Sequence, residues 1–293
     1  MLAPNGLFVI NRLKNETFRN ENLSVIRSLA LSQYQGNQQA VCRVLGKYLM
    51  FVSTLDERLG VQLQMNGFWE MNITEFIARN VSDGMTVVDV GANYGYFSML
   101  MAELTGSAGR VHALEANPFL SRLILKSSRV NGFDRKINII NQAISDHSGE
   151  ELEFVYSDES PMNGLLAENV SEQARENHYP NTHKVMISSI DDLFKNEKSI
   201  DFMKVDIEGS EDKFWYGSQI IRKQNPKMII LMEFNRARYH NVEQFISQIY
   251  DEGYGVTQLS FRKSQYKQLS QKDMLQSDTS HHIMLAITKG KIY

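Results

Sequence analysis

The chain is 293 residues long, 42% hydrophobic and 22% charged, which suits one large α/β domain with an N-terminal addition, or two small domains. A net charge of −3 supplies no basic field for nucleic acid, and the one cysteine, Cys42, excludes an internal disulfide, an iron–sulfur cluster and a thiolate-built structural zinc. No apolar run approaches the ~20 residues of a membrane span and the N-terminus lacks a signal-peptide pattern, so the expected compartment is the cytoplasm.

Residues 1–80 read as an accessory, largely helical N-terminal region, and 81–293 as the main domain. In the first part, Leu23, Ile26, Leu29 and Ala30 recur at helical spacing, and Tyr48–Val52 reads as a strand. Gly67-Phe68-Trp69-Glu70 then precedes a short helix marked by Ile73, Phe76 and Ile77, with Asn72 as its cap. Trp69 and Glu70 read as a core Trp and a surface Glu; the alternative folds the pair over a ligand mouth.

The stretch Thr86–Leu100, TVVDVGANYGYFSML, reads as buried strand, tight turn and helix. Val111–Pro118 is a second strand ending in Glu115, and a helix follows from Pro118 to a stop at Asn131-Gly132. A third strand spans Ile137–Gln142. Glu151–Tyr156 alternates like an edge or hairpin strand, and Ser157–His183 is a polar excursion with a short helix near Val170–Glu176, a candidate substrate lid. Val185–Ile190 is another strand, with a short helix from Asp191. Ile200–Ile207 is the fourth main strand, followed by one helix holding Phe214, Trp215, Ile220 and Ile221. Met228–Phe234 is a fully buried parallel strand, Val242–Glu252 a helix, and Gly255–Leu259 and His282–Thr288 the last two strands. Arg262–Ser280 between them has no obvious core and is placed at the entrance.

A strand entering a helix through a glycine turn brings backbone close to a ligand at a helix N-terminus, and an acid at the second strand tip is placed to accept from both hydroxyls of a ribose. A dinucleotide would want G-x-G-x-x-G, whereas this turn offers Gly91 and Gly95 with Asn93 between them. Asp89 would repel a pyrophosphate but suits the sulfonium and ammonium groups of S-adenosylmethionine (SAM).

VVDVGANYGYFS resembles the first motif of class I SAM-dependent methyltransferases. Together with SSIDDLF (Ser188–Phe194) and FMKVDIEGSE (Phe202–Glu211), the chain resembles the FkbM family over roughly Val81–Glu233. The resemblance implies a Rossmann-like, seven-stranded, mostly parallel sheet with helices on both faces. It implies cofactor contacts from Asp89, Gly91, Ala92, Asn93, Tyr94, Gly95, Glu115, Asp206 and, at the adenine edge, Ala143. It also implies O-methylation of a hydroxyl on a small molecule such as a sugar or polyketide; the missing basic field argues against a nucleic acid partner.

An alcohol acceptor must lose its proton, which calls for a general base or a metal. Asp206 and Glu208 are the candidate catalytic acids at a central strand tip. Asp206 reads as base or, with its neighbours, as an oxygen site for Mg²⁺, and Glu211 as a helix N-terminal acid that complements the dipole. No metal ligand set is assigned: His240, His281 and His282 are lone histidines without H-E-x-x-H spacing. Lys204, charged in a central strand, calls for a carboxylate partner, Asp89 or Glu233. Two other classes stay open, an NAD(P)-dependent oxidoreductase and a non-catalytic nucleotide-binding partner.

Overall fold

The alternation of apolar runs and helical stripes becomes three sheets in the computed structural model, which describes residues 1–159, 164–259, 266–276 and 282–293. Helix α1 (Arg19–Ser28) leads into an antiparallel meander, β1 (Ser32–Gly36), β2 (Gln39–Val44) and β3 (Tyr48–Ser53), and then α2 (Leu59–Asn66) and α3 (Met71–Asn80). Next come β4 (Thr86–Val90), α4 (Tyr96–Leu104), β5 (Arg110–Leu114), α5 (Pro118–Val130) and β6 (Ile137–Ile140). A small second sheet holds β7 (Ala143–Ile144), β8 (Glu151–Tyr156), β9 (Leu165–Leu166) and, after α6 (Glu172–His178), β10 (Asn181–Ser188). Then follow α7 (Ile190–Phe194), β11 (Phe202–Val205), α8 (Glu211–Tyr216), α9 (Gln219–Gln224), β12 (Ile229–Phe234), α10 (Val242–Asp251), β13 (Gly255–Leu259), β14 (Tyr266–Leu269), α11 (Gln271–Leu275) and β15 (Ile283–Thr288).

The large sheet runs β14-β13-β15-β12-β11-β4-β5-β6. β6, β5, β4, β11 and β12 are parallel, and β15 enters antiparallel between β12 and β13. The seven expected strands are present; the eighth, β14, lies in the stretch 262–280 read as having no obvious core, of which 262–265 and 277–280 fall outside the described residues. Alternate residues of each buried strand feed opposite faces, as a pleat requires. Val87, Phe202 and Leu231 pack with α3, α4 and α5; Val88, Met203 and Ile230 pack with α7, α8 and α10. The one helix expected after β11 is two, broken at Gly217, where an added Cβ would lie 2.3 Å from the Ser145 carbonyl oxygen. No helix of the described residues is long and apolar enough to cross a membrane.

The first 80 residues contain strand as well as helix, and their apolar side chains, among them Phe8, Ile26, Val44 and Phe76, belong to the same cluster as Val87 and Leu123. Edge strand β3 is covered by α5 through side chains. Asn131 accepts from the Leu49 N–H (3.0 Å) and donates to the Leu49 carbonyl (2.7 Å), and Ser127 accepts from the Phe51 N–H (3.0 Å). An open edge is thereby satisfied without a fourth strand. Asn131→Ala leaves both polar groups of Leu49 unpaired, and the loss expected is about 1–3 kcal/mol, read as a lower urea midpoint at unchanged slope. An unaltered midpoint would mean that apolar packing alone holds β3 on α5.

Candidate active site

All five parallel strands end on one edge, where open α/β sheets bind ligands. There the turn after β4 is closed on itself. Gly91 and Ala92 donate their amides to the Leu114 carbonyl (2.9 Å each), Asn93 to Glu115 Oε2 (2.7 Å), Tyr94 to Asn93 Oδ1 (2.8 Å) and Gly95 to the Ala92 carbonyl (2.8 Å). Asn93 sits in the left-handed region at φ 54°, which Asn tolerates. At Gly91, φ is 76° and an added Cβ would lie 1.9 Å from the Asp206 carbonyl oxygen, so the turn and the β11 tip meet only because this residue has no side chain. Glu115 accepts from Asn93 with one oxygen and from the Asn117 N–H (2.8 Å) with the other. Burial raises its carboxyl to about 7, the two amides opposing the rise.

Two cavities open above this edge. The inner one, about 110 Å³, is walled by Gly91–Tyr94 of the turn, Glu115, Ala143 and the apolar side chains of Leu120, Ile144 and Phe154. The outer one, about 960 Å³, is polar, and the two share Trp69, Leu165, Asp206 and Glu208 on their walls. Described residues of the segment 157–183 contribute to both walls: Leu165 lines each cavity, and Glu168, on the outer one, is tied to Lys213 of α8 at 2.7 Å. Of the residues expected at the cofactor, Gly91, Ala92, Asn93, Tyr94, Glu115, Ala143 and Asp206 line the inner cavity. Gly95 closes the turn beneath it. Asp89 stands behind the wall, buried, with Oδ2 accepting from Ser98 Oγ at 2.6 Å and Oδ1 without a hydrogen-bond partner.

β11 stops at Val205, so Asp206 and Glu208 leave the strand and stand on a loop whose Glu208 has φ 55°. Lys204 is 2% exposed and its ammonium pairs with Asp206 Oδ2 at 3.1 Å, over the Phe97 ring at 5.2 Å. The ion pair expected with Asp89 or Glu233 is thus made with Asp206, two residues on and on the same face of the extended chain, whose amide still donates to the Val90 carbonyl (3.0 Å). Asp89 is the cross-strand neighbour of Lys204 and acts through space. Burial alone would lower the lysine; Asp206 first and Asp89 next outweigh it, and the ammonium is held above its ordinary range.

Oxygens of Asp206, Glu208 and Glu233 all lie within 4.8 Å of one another. Arg238 bridges two of them, to Glu208 at 2.6 Å and Glu233 at 3.0 Å, and His282 Nδ1 lies 2.9 Å from Glu233. A divalent ion would have to displace the guanidinium that already serves these acids. Burial, then Asp206 and Glu208, push Glu233 up to about 9. Glu211 does more than face a helix dipole: it is 1% exposed and accepts from the Ile207 N–H (3.0 Å), the Gly209 N–H (3.0 Å) and the Tyr239 hydroxyl (2.9 Å). It braces the loop carrying Asp206 and Glu208. Glu233 and Arg238 were not foreseen as parts of the mouth; the signal available was an acid at the tip of β12, one strand from β11. Among the lone histidines, His240 and His282 line the outer cavity and His281 lies outside the described residues.

The FkbM methyltransferase domain model matches residues 89–256. No curated protein matches the sequence. Among solved structures, the chain is similar to an FkbM methyltransferase from Methylobacillus flagellatus KT, with 14% identity, a TM-score of 0.43 and 70% of this chain covered. It spans 44% of that protein's length. It is also similar to an O-methyltransferase from Bacillus cereus in complex with S-adenosylhomocysteine (SAH) (14% identity, TM-score 0.38, 70% of this chain and 74% of that one). A fibrillarin from Aeropyrum pernix with natively bound SAM is similar at 12% identity and a TM-score of 0.44, over 88% of this chain and 97% of that one. With its family model spanning more than half its length, the chain belongs to the FkbM family of methyltransferases.

Proposed function

We propose that this protein transfers the methyl group of SAM to a hydroxyl of a small molecule, such as a sugar or polyketide. The observation that carries the choice of cofactor is the turn after β4, where all five amides from Gly91 to Gly95 are already donated. A dinucleotide pyrophosphate needs such amides free, which argues against the NAD(P)-dependent alternative. Glu115 keeps spare acceptor capacity on each oxygen for the two ribose hydroxyls, and Leu120, Ile144 and Phe154 supply an apolar panel for a base. Bound SAM would supply a methyl group activated by a positive sulfur. The protein has to align the acceptor and exclude water. Asp206 and Glu208, on both cavity walls, accept hydrogen bonds from the acceptor at the junction, while Lys204 and Arg238 keep their carboxylates in place. The acid-rich outer wall favours neutral polyols over phosphate-bearing acceptors.

Asp206→Ala is expected to cut turnover by a factor of roughly 100 or more, the range for a group acting in the transition state, with little change in SAM affinity. Glu115→Ala is expected to weaken SAM about 10-fold or more, the loss of one charged hydrogen-bond acceptor. Calorimetry with SAM, SAH and NAD reads both, and tight NAD binding with none for SAM would overturn the proposal. Affinity should also depend on pH. Glu115 titrates near 7, and only its ionised form accepts from both hydroxyls, so SAM binding should strengthen as pH rises through about 7. Comparison with Glu115→Gln, which removes this titration, separates it from that of the SAM amine.

A further inference from the structure

The search for a proton acceptor leads away from the acids at the β11 tip. Each acid on the outer wall has a cation or an amide except one. Asp206 is paired with Lys204, Glu208 and Glu233 with Arg238, Glu168 with Lys213, and Asp212 with the Lys213 amide. Glu70 lines the same cavity, half-buried, and among the described residues its carboxylate makes no hydrogen bond or ion pair. Its backbone is in the left-handed region at φ 35° and ψ 66°, uncommon for a residue with a side chain and typical of functional corners. The corner is anchored to the cofactor side. Thr74 Oγ1 donates to the Trp69 carbonyl (2.9 Å) and meets the hydroxyl of Tyr96, the first residue of α4, at 3.0 Å. Trp69, next in the chain, lines both cavities.

From this placement we infer that Glu70 is the catalytic base of the proposed methyl transfer. The inference rests on the reading above that a hydroxyl is the acceptor. In the step, the acceptor oxygen forms a bond to the methyl carbon as the carbon–sulfur bond breaks. The electron pair of that bond stays on sulfur, which becomes a neutral thioether, and the hydroxyl proton passes to the Glu70 carboxylate and on to solvent through the outer cavity. A carboxylate already held by lysine or arginine is a weaker base than one with no cation on it. Glu70 is also raised to about 7, by burial first and Asp206 next, with Lys204 opposing, which suits a base working at neutral pH. The charged and titratable groups around it are Lys204 and Asp206 from the β11 side, Tyr96 on α4, and, across the outer cavity, Arg58, Glu208, Glu233, Arg238 and His282.

The test uses the full chain, tritium-labelled SAM, and as acceptors a panel of neutral methyl glycosides together with a small-molecule metabolite extract. Glu70→Gln should lower kcat about 100-fold at pH 7, with KM and SAM affinity within about threefold, and Glu70→Asp should recover part of the rate. At saturating SAM, where the titration of Glu115 does not enter, the wild-type rate should fall as pH drops below about 7, where the Glu70 carboxyl gains a proton, and the residual rate of Glu70→Gln should be flat there. A Glu70→Gln enzyme within threefold of wild-type, or one whose loss equals its loss of SAM affinity, overturns the assignment and leaves the methyl-transfer reading standing. SAM binding with no wild-type product from any acceptor, or a product methylated on nitrogen, overturns the hydroxyl reading itself and the base with it.

Discussion

A buried cation at the tip of the central strand organises the whole ligand edge. Lys204 is almost without solvent, and a charge in that position is tolerated only with an opposite charge and good geometry. Asp206 meets it directly and Asp89 lies across the strand pair. The same residue that pairs with Lys204 sets its carbonyl against Gly91, which is why that position of the turn has room for a hydrogen and nothing larger. The turn after β4 and the loop after β11 are therefore one unit, joined by an ion pair on one side and a backbone contact on the other. Without Asp206 the buried ammonium would keep only Asp89, across the strand pair, as a nearby opposite charge.

The first 80 residues complete this unit. Their apolar side chains are continuous with the α3, α4 and α5 face of the large sheet, and α5 covers the edge of their own sheet. Tyr94, in the middle of the turn, is fully buried, and its phenol is raised by burial and then by Asp56 just ahead of α2. On the far side, the Tyr293 amide donates to Asn80 Oδ1 at 2.8 Å, pinning the chain end to α3. The Trp69–Glu70 corner is consequently held by both regions, and its strained backbone is sustained by contacts on each side.

The fold was largely legible because its signals are local. The apolar run Thr86–Val90, the Gly91–Gly95 turn and the Pro118 helix start each follow from composition over a few residues, and all three stand where expected. What escaped was set by contacts between distant segments. Gly217 breaks a helix because Ser145 passes close by, and β14 forms because β13 offers it an edge. At the site, the strand-tip acids were visible from position alone, but their partners were not. Which acid Lys204 takes is settled by the course of the chain at the end of β11, and Arg238 reaches Glu208 and Glu233 from a turn 30 residues beyond Glu208 (238 − 208). Glu70 was ambiguous for the same reason: an acid after a Trp reads as a surface residue until the corner's backbone is known.

Electrostatics at the mouth follow from counting what is charged. Three carboxylates within 4.8 Å cannot all ionise cheaply, and the two cations on them, Lys204 and Arg238, offset only part of their repulsion. The excess is relieved by a proton on Glu233, held up to about 9, so at neutral pH the cluster is closer to balance than its composition suggests. A protonated Glu233 donates a hydrogen bond as well as accepting one, as a hydroxyl does. For the methyl transfer proposed above, such a wall would match a polyol, whose every hydroxyl can also do both. It has little to offer an anionic group, because its guanidinium is already committed to two acids. Under that proposal, selectivity among acceptors would come from the shape of the outer cavity and the direction of its acceptors, whereas the sign of charge excluded would be set by the acids themselves.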